Sequence, residues 1–422
     1  MVRLVVATSA GLNHIDVAEC RRRGVAVANA GTVFSEDVAE VAAGLVIDVF
    51  RKMSAACRYV RQGLWLTKGD YPLCSKFSLS PQNLSQFLIS SMAAAEEQSQ
   101  NQNVPQVLLL KPPPACALFG DEFFSSNKFR LLKAYESSLP LDQFLETNAE
   151  SIEAILSSGG APVTADILQQ LPLVRLVVTT HAGLDHIDLA ECRRRNIAVT
   201  NAGNIFSEDV ADHAIGLLID LLRKVSAADR YVRRGLWAAN GDNPIGFKLE
   251  SKRVGIVGLG KIGFEVAKRL ESFGCCISYN SRKKKASVSF PFYSNVCELA
   301  TNSDVLIICC ALSEQTHHVI NKEVLTALGK EGFIVNIARG SIINEQELVQ
   351  CLVQGEISGA GLDVFENEPD IPGELFALDN VVLSPHSAIF TLETFRDLRE
   401  LVVGNLEAFF SNKQLLSEVV YD

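Results

Sequence analysis

The segment VGIVGLGKIG, residues 254–263, constrains the fold of this chain more than any other stretch. Its apolar run Val254 to Val257 reads as a strand, and Gly258, Gly260 and Gly263 form G-x-G-x-x-G at the start of a helix expected to run to about Phe273. The first glycine of such a pattern permits a tight turn, the second lets a pyrophosphate approach the backbone, and the third lets helix and strand touch. The helix start then offers N–H donors and a positive dipole end to phosphate. Leu259, Lys261 and Ile262 lie between and beside these glycines and join them as candidate contacts, and the strand CCISYN follows at the spacing a second β-strand requires. The expectation is a Rossmann-type dinucleotide-binding domain.

The end of that second strand selects the cofactor. A domain that prefers NAD usually places Asp or Glu there to hold the ribose 2'-hydroxyl. This chain has Asn280, Ser281, Arg282, Lys283, Lys284 and Lys285 instead. A carboxylate would repel a 2'-phosphate, whereas Ser281 can donate to it and Arg282 can pair with its oxygens while stacking on adenine. Ser281, Arg282 and Lys283 therefore point to NADP(H), with Lys284 and Lys285 read as a solvated turn.

Around this segment, short apolar runs alternate with helical ones. QVLLLKPPP, AILSSGG, RLVVTTHAG and IAVTNAG read as strands, SIEAI and TADILQQL as helices,. SEDVADHAIGLLIDLLRKVSAADRYVRRGLW reads as one long helix with Ser207 as its N-cap,. The class is α/β with parallel sheets. A composition of 48% hydrophobic and 21% charged residues belongs to a globular chain, and a formal net charge of -10 argues against nucleic-acid or membrane-surface partners,. Cys275-Cys276 and Cys309-Cys310 sit in strand-like runs and are expected to be buried thiols rather than disulfides,. No metal site is read from the His and Cys spacing, and without a membrane span or secretory signal the expected location is the cytosol.

The chain also writes one passage twice. VRLVVATSAGLNHID at residue 2 returns as VRLVVTTHAGLDHID at residue 174, and the match continues without a gap at an offset of 172 to Lys76 and Lys248. Roughly two-thirds of positions are identical, which marks a partial duplication; a solenoid needs shorter, more numerous units. Residues 1–76 hold no glycine fingerprint and are expected to be non-catalytic, unstable alone or bound to another surface,. Residues 77–104, rich in Ser, Gln and Asn, read as a flexible linker, and Met92 reads as a natural start from which the native protein is expected to begin,.

Later strand ends carry Arg339 in IVNIARG, Asp363 and Glu368 in GLDVFENEP, and His386 in VVLSPHSA. Ligands of open α/β sheets bind beyond the carboxyl ends of strands, so these groups should converge at one end of the cofactor. With the fingerprint and these three motifs in order, residues 104–422 resemble the D-isomer-specific 2-hydroxyacid dehydrogenases, and within them the plant glyoxylate/hydroxypyruvate reductases and the hydroxyphenylpyruvate reductases.

The resemblance implies two domains: a flavodoxin-like substrate domain at 105–204 and 390–422, and an NADP-binding domain at 205–389. It implies Arg339, Glu368 and His386 as the catalytic set. His386 would be the general acid, Glu368 would keep it protonated, and Arg339 would clasp the substrate carboxylate. Ile337, Arg339 and Asp363 would contact the cofactor, with Asp363 orienting the nicotinamide carboxamide, and the backbone N–H groups of Ala182 and Gly183 would receive the substrate carboxylate. Asp185, His186 and Asp188 read as turn and helix-start residues. His181, where the first copy has Ser9, and Ala311, where relatives carry Pro, depart from the family pattern. The implied activity is NADPH-dependent reduction of glyoxylate or hydroxypyruvate by a homodimer. Alternatives are an aryl 2-oxo acid (hydroxyphenylpyruvate) reductase and a dinucleotide-sensing protein without turnover.

Overall fold

A computed structural model describes residues 4–7, 11, 13, 15–31, 35–69, 104–120, 122–158, 161–242 and 245–420. The stretch expected to be a linker, together with Met92, falls outside these residues apart from Val104.

Three sheets form, and every pairing between their strands is parallel. The smallest joins β1 (Leu4–Val6) to β2 (Ala26–Ala28). Five strands, β3 (Gln106–Leu109), β4 (Arg130–Lys133), β5 (Ile152–Ser157), β6 (Leu176–Thr179) and β7 (Ala198–Thr200), make the second in the order β4-β3-β5-β6-β7. The third holds β8 (Arg253–Val257), β9 (Cys276–Asn280), β10 (Phe292–Tyr293), β11 (Val305–Ile308), β12 (Phe333–Asn336), β13 (Gly359–Leu362) and β14 (Val381–Leu383), in the order β10-β9-β8-β11-β12-β13-β14. The strand order turns back between β8 and β11, and that reversal is where a doubly wound sheet opens a ligand crevice,.

The helices that matter for the site are α1 (Val17–Arg22), α2 (Ser35–Arg51), α3 (Met53–Arg61) and α4 (Leu64–Lys68) in the first copy. In the remainder they are α5 (Leu189–Arg194), α6 (Ser207–Arg223), α7 (Val225–Arg233), α8 (Leu236–Asn240), α9 (Lys261–Ser272) and α10 (Leu392–Phe410). SIEAI is a strand rather than a helix: Ile152, Ala154, Ile155 and Leu156 are all buried, so β5 is covered on both faces and its apolar residues lose the alternation that identifies a strand,.

The expected long helix is three helices. Lys224 takes a left-handed conformation (φ 56°) between α6 and α7, and Gly235 (φ 71°) ends α7. Asp220 enforces the first break by accepting from Ser226 N at 2.7 Å and Ser226 Oγ at 2.5 Å, which satisfies a donor at the start of α7,. Burial pushes the Asp220 carboxyl up to about 6, against the lowering effect of those two bonds. Ser207 is the first helical residue rather than the cap; Phe206 precedes it without a side-chain cap bond.

α6 lies at the centre of the molecule, with Leu217, Leu218, Leu221 and Leu222 buried, α9 on one side and α2 of the first copy on another. α10 returns to cover β6 and is tied to the five-stranded half by Lys128–Glu407 at 2.6 Å and by Arg399 donating to the Phe123 carbonyl at 2.7 Å. Cys276 is exposed and Cys309 and Cys310 lie just past β11, half-buried, so the expectation of buried strand thiols holds only loosely; all ten described cysteines are free. Their position explains it: β9 starts at Cys276 and β11 stops at Ile308.

The first copy repeats the local structure of the second but not its surroundings. Among the described residues its two strands meet no further strand, and Val6 is 64% exposed where its counterpart Val178 is 1%. It docks through α2 on α6 and through α3 on β14. Glu40 is buried there, accepting from Leu249 N, Glu250 N and Arg223.

Candidate active site

Gly258 leaves β8 at φ 99°, and a Cβ there would lie 2.5 Å from Cys310 Cα, so only glycine makes this turn against the neighbouring strand end,. Gly263 faces the Gly258 carbonyl equally closely. Gly260, which caps α9, has nothing within 4 Å of its Cβ direction and is exposed: the cradle is open where a pyrophosphate would approach the helix start,. Leu259 and Ile337 are buried beneath, Ile262 is half-buried and Lys261 is exposed. At the end of β9, Asn280 accepts from Gly258 N at 2.8 Å and holds the turn. Ser281 donates to the Lys283 carbonyl at 2.6 Å, and Arg282 is exposed with no ion pair among the described residues. These residues fit a dinucleotide with a phosphate beyond the adenosine ribose.

The catalytic candidates come together at strand ends of the same sheet. His386 Nδ1 and Glu368 Oε2 are 2.8 Å apart, and Glu368 Oε1 accepts from Phe365 N at 3.0 Å. Burial alone would lower the His386 pKa, but the Glu368 carboxylate outweighs it and holds the imidazole above its ordinary value,. His386 sits at φ 48°, a left-handed conformation that costs a non-glycine residue about 1–3 kcal/mol and persists where surrounding bonds over-determine it,.

Asp363 supplies those bonds. Its carbonyl accepts from His386 N at 2.7 Å, its Oδ1 from Ser387 N at 2.9 Å and Ser384 Oγ at 2.6 Å, and its Oδ2 from Ala388 N at 3.2 Å. The residue is 1% exposed, with His213 Nε2 at 3.3 Å. Burial works against its charge, yet His213 and these donors hold its pKa below the usual carboxylate value. Asp363 thus ties down the loop that carries His386. His213, which no motif signalled, is the residue sequence reasoning missed: it sits on α6, 2.9 Å from Ser384 Oγ.

Across the crevice lies the loop after β6. Ala182 N and Gly183 N donate to nothing among the described residues, and the Arg339 guanidinium packs so closely on Gly183 that a side chain there would collide with it. Arg339 also donates to its neighbour's carbonyl at Ala338 (2.8 Å) and faces Asp185 at 3.3 and 3.5 Å. Burial opposes the charge on Asp185, but Arg339 lowers its pKa overall. Asp185 is therefore more than a turn residue, while Asp188 caps α5 as expected by accepting from Glu191 N at 2.9 Å, a bond worth about 1 kcal/mol,. His186 bonds to Thr179 Oγ1 at 3.0 Å.

His181 stands edge-on to His186 with ring centroids 5.4 Å apart, and Thr180 Oγ1 is 3.2 Å from its Nδ1. Burial, then the charges of His186, His386 and Arg339, push its pKa down to about 3, so the ring is neutral at neutral pH. In the loops after β11 and β13, His317, His318 and Glu366 offer ligand atoms within 4.8 Å of one another, a cluster not expected from sequence. His318 Nε2 and Glu366 Oε1 already satisfy each other at 2.7 Å. Ala311 accepts from Thr316 Oγ1 at 2.7 Å and so stays in a defined turn without proline.

Residues 215–388 match the NAD-binding domain of the D-isomer specific 2-hydroxyacid dehydrogenases, and residues 1–109 match their catalytic domain. The glyoxylate/hydroxypyruvate reductase HPR3 of Arabidopsis thaliana is 54% identical over 318 residues, 75% of this chain and 98% of that protein. The chain belongs to the D-isomer specific 2-hydroxyacid dehydrogenases. A second relative of this dehydrogenase, the hydroxyphenylpyruvate reductase of Plectranthus scutellarioides, is 47% identical, covering 70% of the chain and 93% of that protein. Among solved structures, the NADPH-dependent glyoxylate/hydroxypyruvate reductase of Sinorhizobium meliloti in complex with NADP and malonate covers 75% of the dehydrogenase and 97% of that chain, at TM-score 0.68 and 32% identity. Because the Arabidopsis alignment consumes 98% of the relative and 75% of this dehydrogenase, the rest of the chain is additional to that relative.

Proposed function

We propose that this dehydrogenase reduces small 2-oxo acids, glyoxylate and hydroxypyruvate, using NADPH. The observation that supports it most is the 2.8 Å pair of His386 and Glu368 at one crevice with the Arg339 fork and the unused N–H groups of Ala182 and Gly183. The substrate carboxylate would take the place of Asp185 in the Arg339 fork and accept from those two N–H groups. When bound, the dihydronicotinamide supplies a hydride to the substrate's carbonyl carbon. The carbonyl oxygen then gains negative charge, and His386, whose Nδ1 is held by Glu368, donates its Nε2 proton to it,. Oxo acid, hydride and proton add to a 2-hydroxy acid with no atom left over.

Asp363 holds the imidazole in place through the loop backbone, and its expected contact with the carboxamide remains part of the proposal. The two lobes, 105–204 with 390–422 and 205–389, would close over the substrate and exclude water. The His181 ring, edge-on to His186 and within electrostatic range of Arg339 and His386, would narrow the crevice against an aryl acid. Steady-state kinetics with glyoxylate, hydroxypyruvate and hydroxyphenylpyruvate test this directly. The reading fails if the aryl acid has the highest kcat/KM, or if no 2-oxo acid is turned over, which would leave a dinucleotide sensor.

The NADPH preference rests on Ser281, Arg282 and Lys283, with no carboxylate among residues 280–285. Arg282→Ala should raise the KM for NADPH about tenfold, the loss of one charge-assisted phosphate contact, and leave that for NADH nearly unchanged. Equal effects on both would remove Arg282 from the 2'-phosphate.

Glu368→Gln makes a separate expectation. His386 has a raised pKa, so reduction should persist through neutral pH and fall only as pH rises through that raised value. Without the carboxylate the fall should move to lower pH, read as an acid shift of the descending limb of kcat/KM. A homodimer and a cytosolic location belong to the same proposal; the free cysteines suit a reducing compartment, and no described helix is long and apolar enough to cross a membrane,.

A further inference from the structure

Three side chains that the proposed reduction does not use gather at the carboxyl edge of the seven-stranded sheet. His317 and His318 stand in the loop after β11, and Glu366 stands in the loop after β13. Among the described residues they are the one group of three His, Cys, Asp or Glu side chains whose ligand atoms all lie within 4.8 Å of one another. Adjacent residues usually send their side chains apart, because a strand alternates its faces and a helix turns by about 100° per residue. Here His318 takes a left-handed conformation (φ 51°), and the two rings stack with centroids 3.9 Å apart and planes at 29°. Such a conformation persists in a non-glycine residue where its surroundings over-determine it. They do so here: His317 N donates to the Ser313 carbonyl and His318 N to the Ser341 carbonyl, both at 2.9 Å, while Thr316 Oγ1 donates to the Ala311 carbonyl at 2.7 Å.

Glu366 is held as firmly from its own side. Gly340 packs so closely on the Phe365–Glu366 peptide that a side chain at 340 would collide with it, and Glu366 N donates to Glu345 Oε1 at 3.1 Å. His318 Nε2 lies 2.7 Å from Glu366 Oε1, with the two side chains 32% and 26% exposed, so an ion could reach them from solvent. A hydrogen bond accounts for that pair. It does not account for His317, which the left-handed residue beside it brings onto the same spot. Carboxylates also crowd this place: burial, with the charges of Glu366 and Glu368 adding to it, raises the Glu345 carboxyl against the one backbone donor that lowers it. A cation would relieve that crowding.

We propose that His317, His318 and Glu366 bind a divalent late transition-metal ion, with zinc the ion that this donor set suits best. Two imidazole nitrogens and one carboxylate oxygen are the ligands of a three-residue zinc site completed by water, whereas magnesium and calcium take oxygen ligands. Around a tetrahedral zinc the ligand atoms lie about 2.0–2.2 Å from the ion and so about 3.3 Å from one another. Glu366 and His318 therefore need only open their hydrogen bond slightly, and the exposed His317 ring can swing in without losing packing. The ion would join the loop after β11 to the loop after β13. The histidine pair hangs from Ser341, two residues after Arg339, and Glu366 precedes Glu368 by two, so the bound ion would brace the supports of two members of the catalytic set.

Cobalt(II), a visible probe of zinc sites, tests this in the untagged full-length chain after dialysis against a chelator. One equivalent should bind saturably, with the d–d bands of a four-coordinate ion and without a thiolate-to-cobalt charge-transfer band, and zinc should displace it. His317→Ala leaves the His318–Glu366 hydrogen bond in place and Glu366→Gln keeps the size of the side chain, so neither disturbs the fold. Each should weaken zinc binding in calorimetry by at least about 100-fold, the upper end of what the loss of even a supporting residue costs a metal site. His386→Asn should leave zinc affinity unchanged, which separates this cluster from the His386–Glu368 pair. Because the readout is binding, the result stands apart from whether the chain reduces 2-oxo acids. No saturable cobalt spectrum, a thiolate band, an affinity that either His317→Ala or Glu366→Gln leaves unchanged, or loss of binding in His386→Asn would each overturn the proposal.

Discussion

His386→Asn is expected to lower kcat for 2-oxo acid reduction by about 10²–10⁴-fold, the range for loss of a general acid. Asparagine keeps a hydrogen-bonding side chain but cannot lose a proton to the carbonyl oxygen at neutral pH. The KM for NADPH should change little, because the nucleotide cradle of Gly258, Gly260 and the start of α9 is built by other residues. The measurement is a full steady-state profile against pH: the variant should lose the alkaline decline that the His386–Glu368 pair imposes. If kcat survives within a few-fold, proton transfer runs through another group and the assignment is wrong.

Arg339→Met should cost a comparable amount, about 10²–10³-fold in kcat with a raised KM for the acid, since it removes a charged donor aimed at the reacting end of the substrate. Arg339→Lys should recover little. A lysine is a point charge without the planar fork that clasps a carboxylate in two places. The contact with Gly183 and Asp185 means the methionine variant also leaves Asp185 without its partner, so the double change with Asp185→Asn separates the two effects. Were the double variant to regain most of the lost rate, Arg339 would be neutralising Asp185 rather than gripping substrate.

The parts of this molecule that are local in sequence were readable there. The turn at Gly258, the strand-helix pair around it and the N-cap at Asp188 each depend on neighbours within a few residues, and each appears where the pattern puts it. Arg339, Glu368 and His386 converge because all three follow strands of one parallel sheet, so their common edge was implicit in the strand reading. What was hidden depends on contacts between distant segments. SIEAI lost its periodicity because β5 is buried on both faces, and the break at Lys224 rests on Asp220 reaching forward to Ser226. Asp185 looked like a turn residue because its partner lies 154 positions away, and nothing local marked His213, whose partners Ser384 and Asp363 lie far along the chain. The docking of the first copy follows from no single motif, since it needs the two repeats to be laid face to face.

One bond of the first copy reaches past the second repeat. Besides Asp209, Arg51 of the first copy donates to the carbonyl of Ala388, whose own amide is held by Asp363 two residues after His386. The duplicated piece is thus clamped to the loop that carries His386, and α6 adds His213 through Ser384. A loosening of the first copy is therefore expected to reach the same stretch of backbone that holds the imidazole.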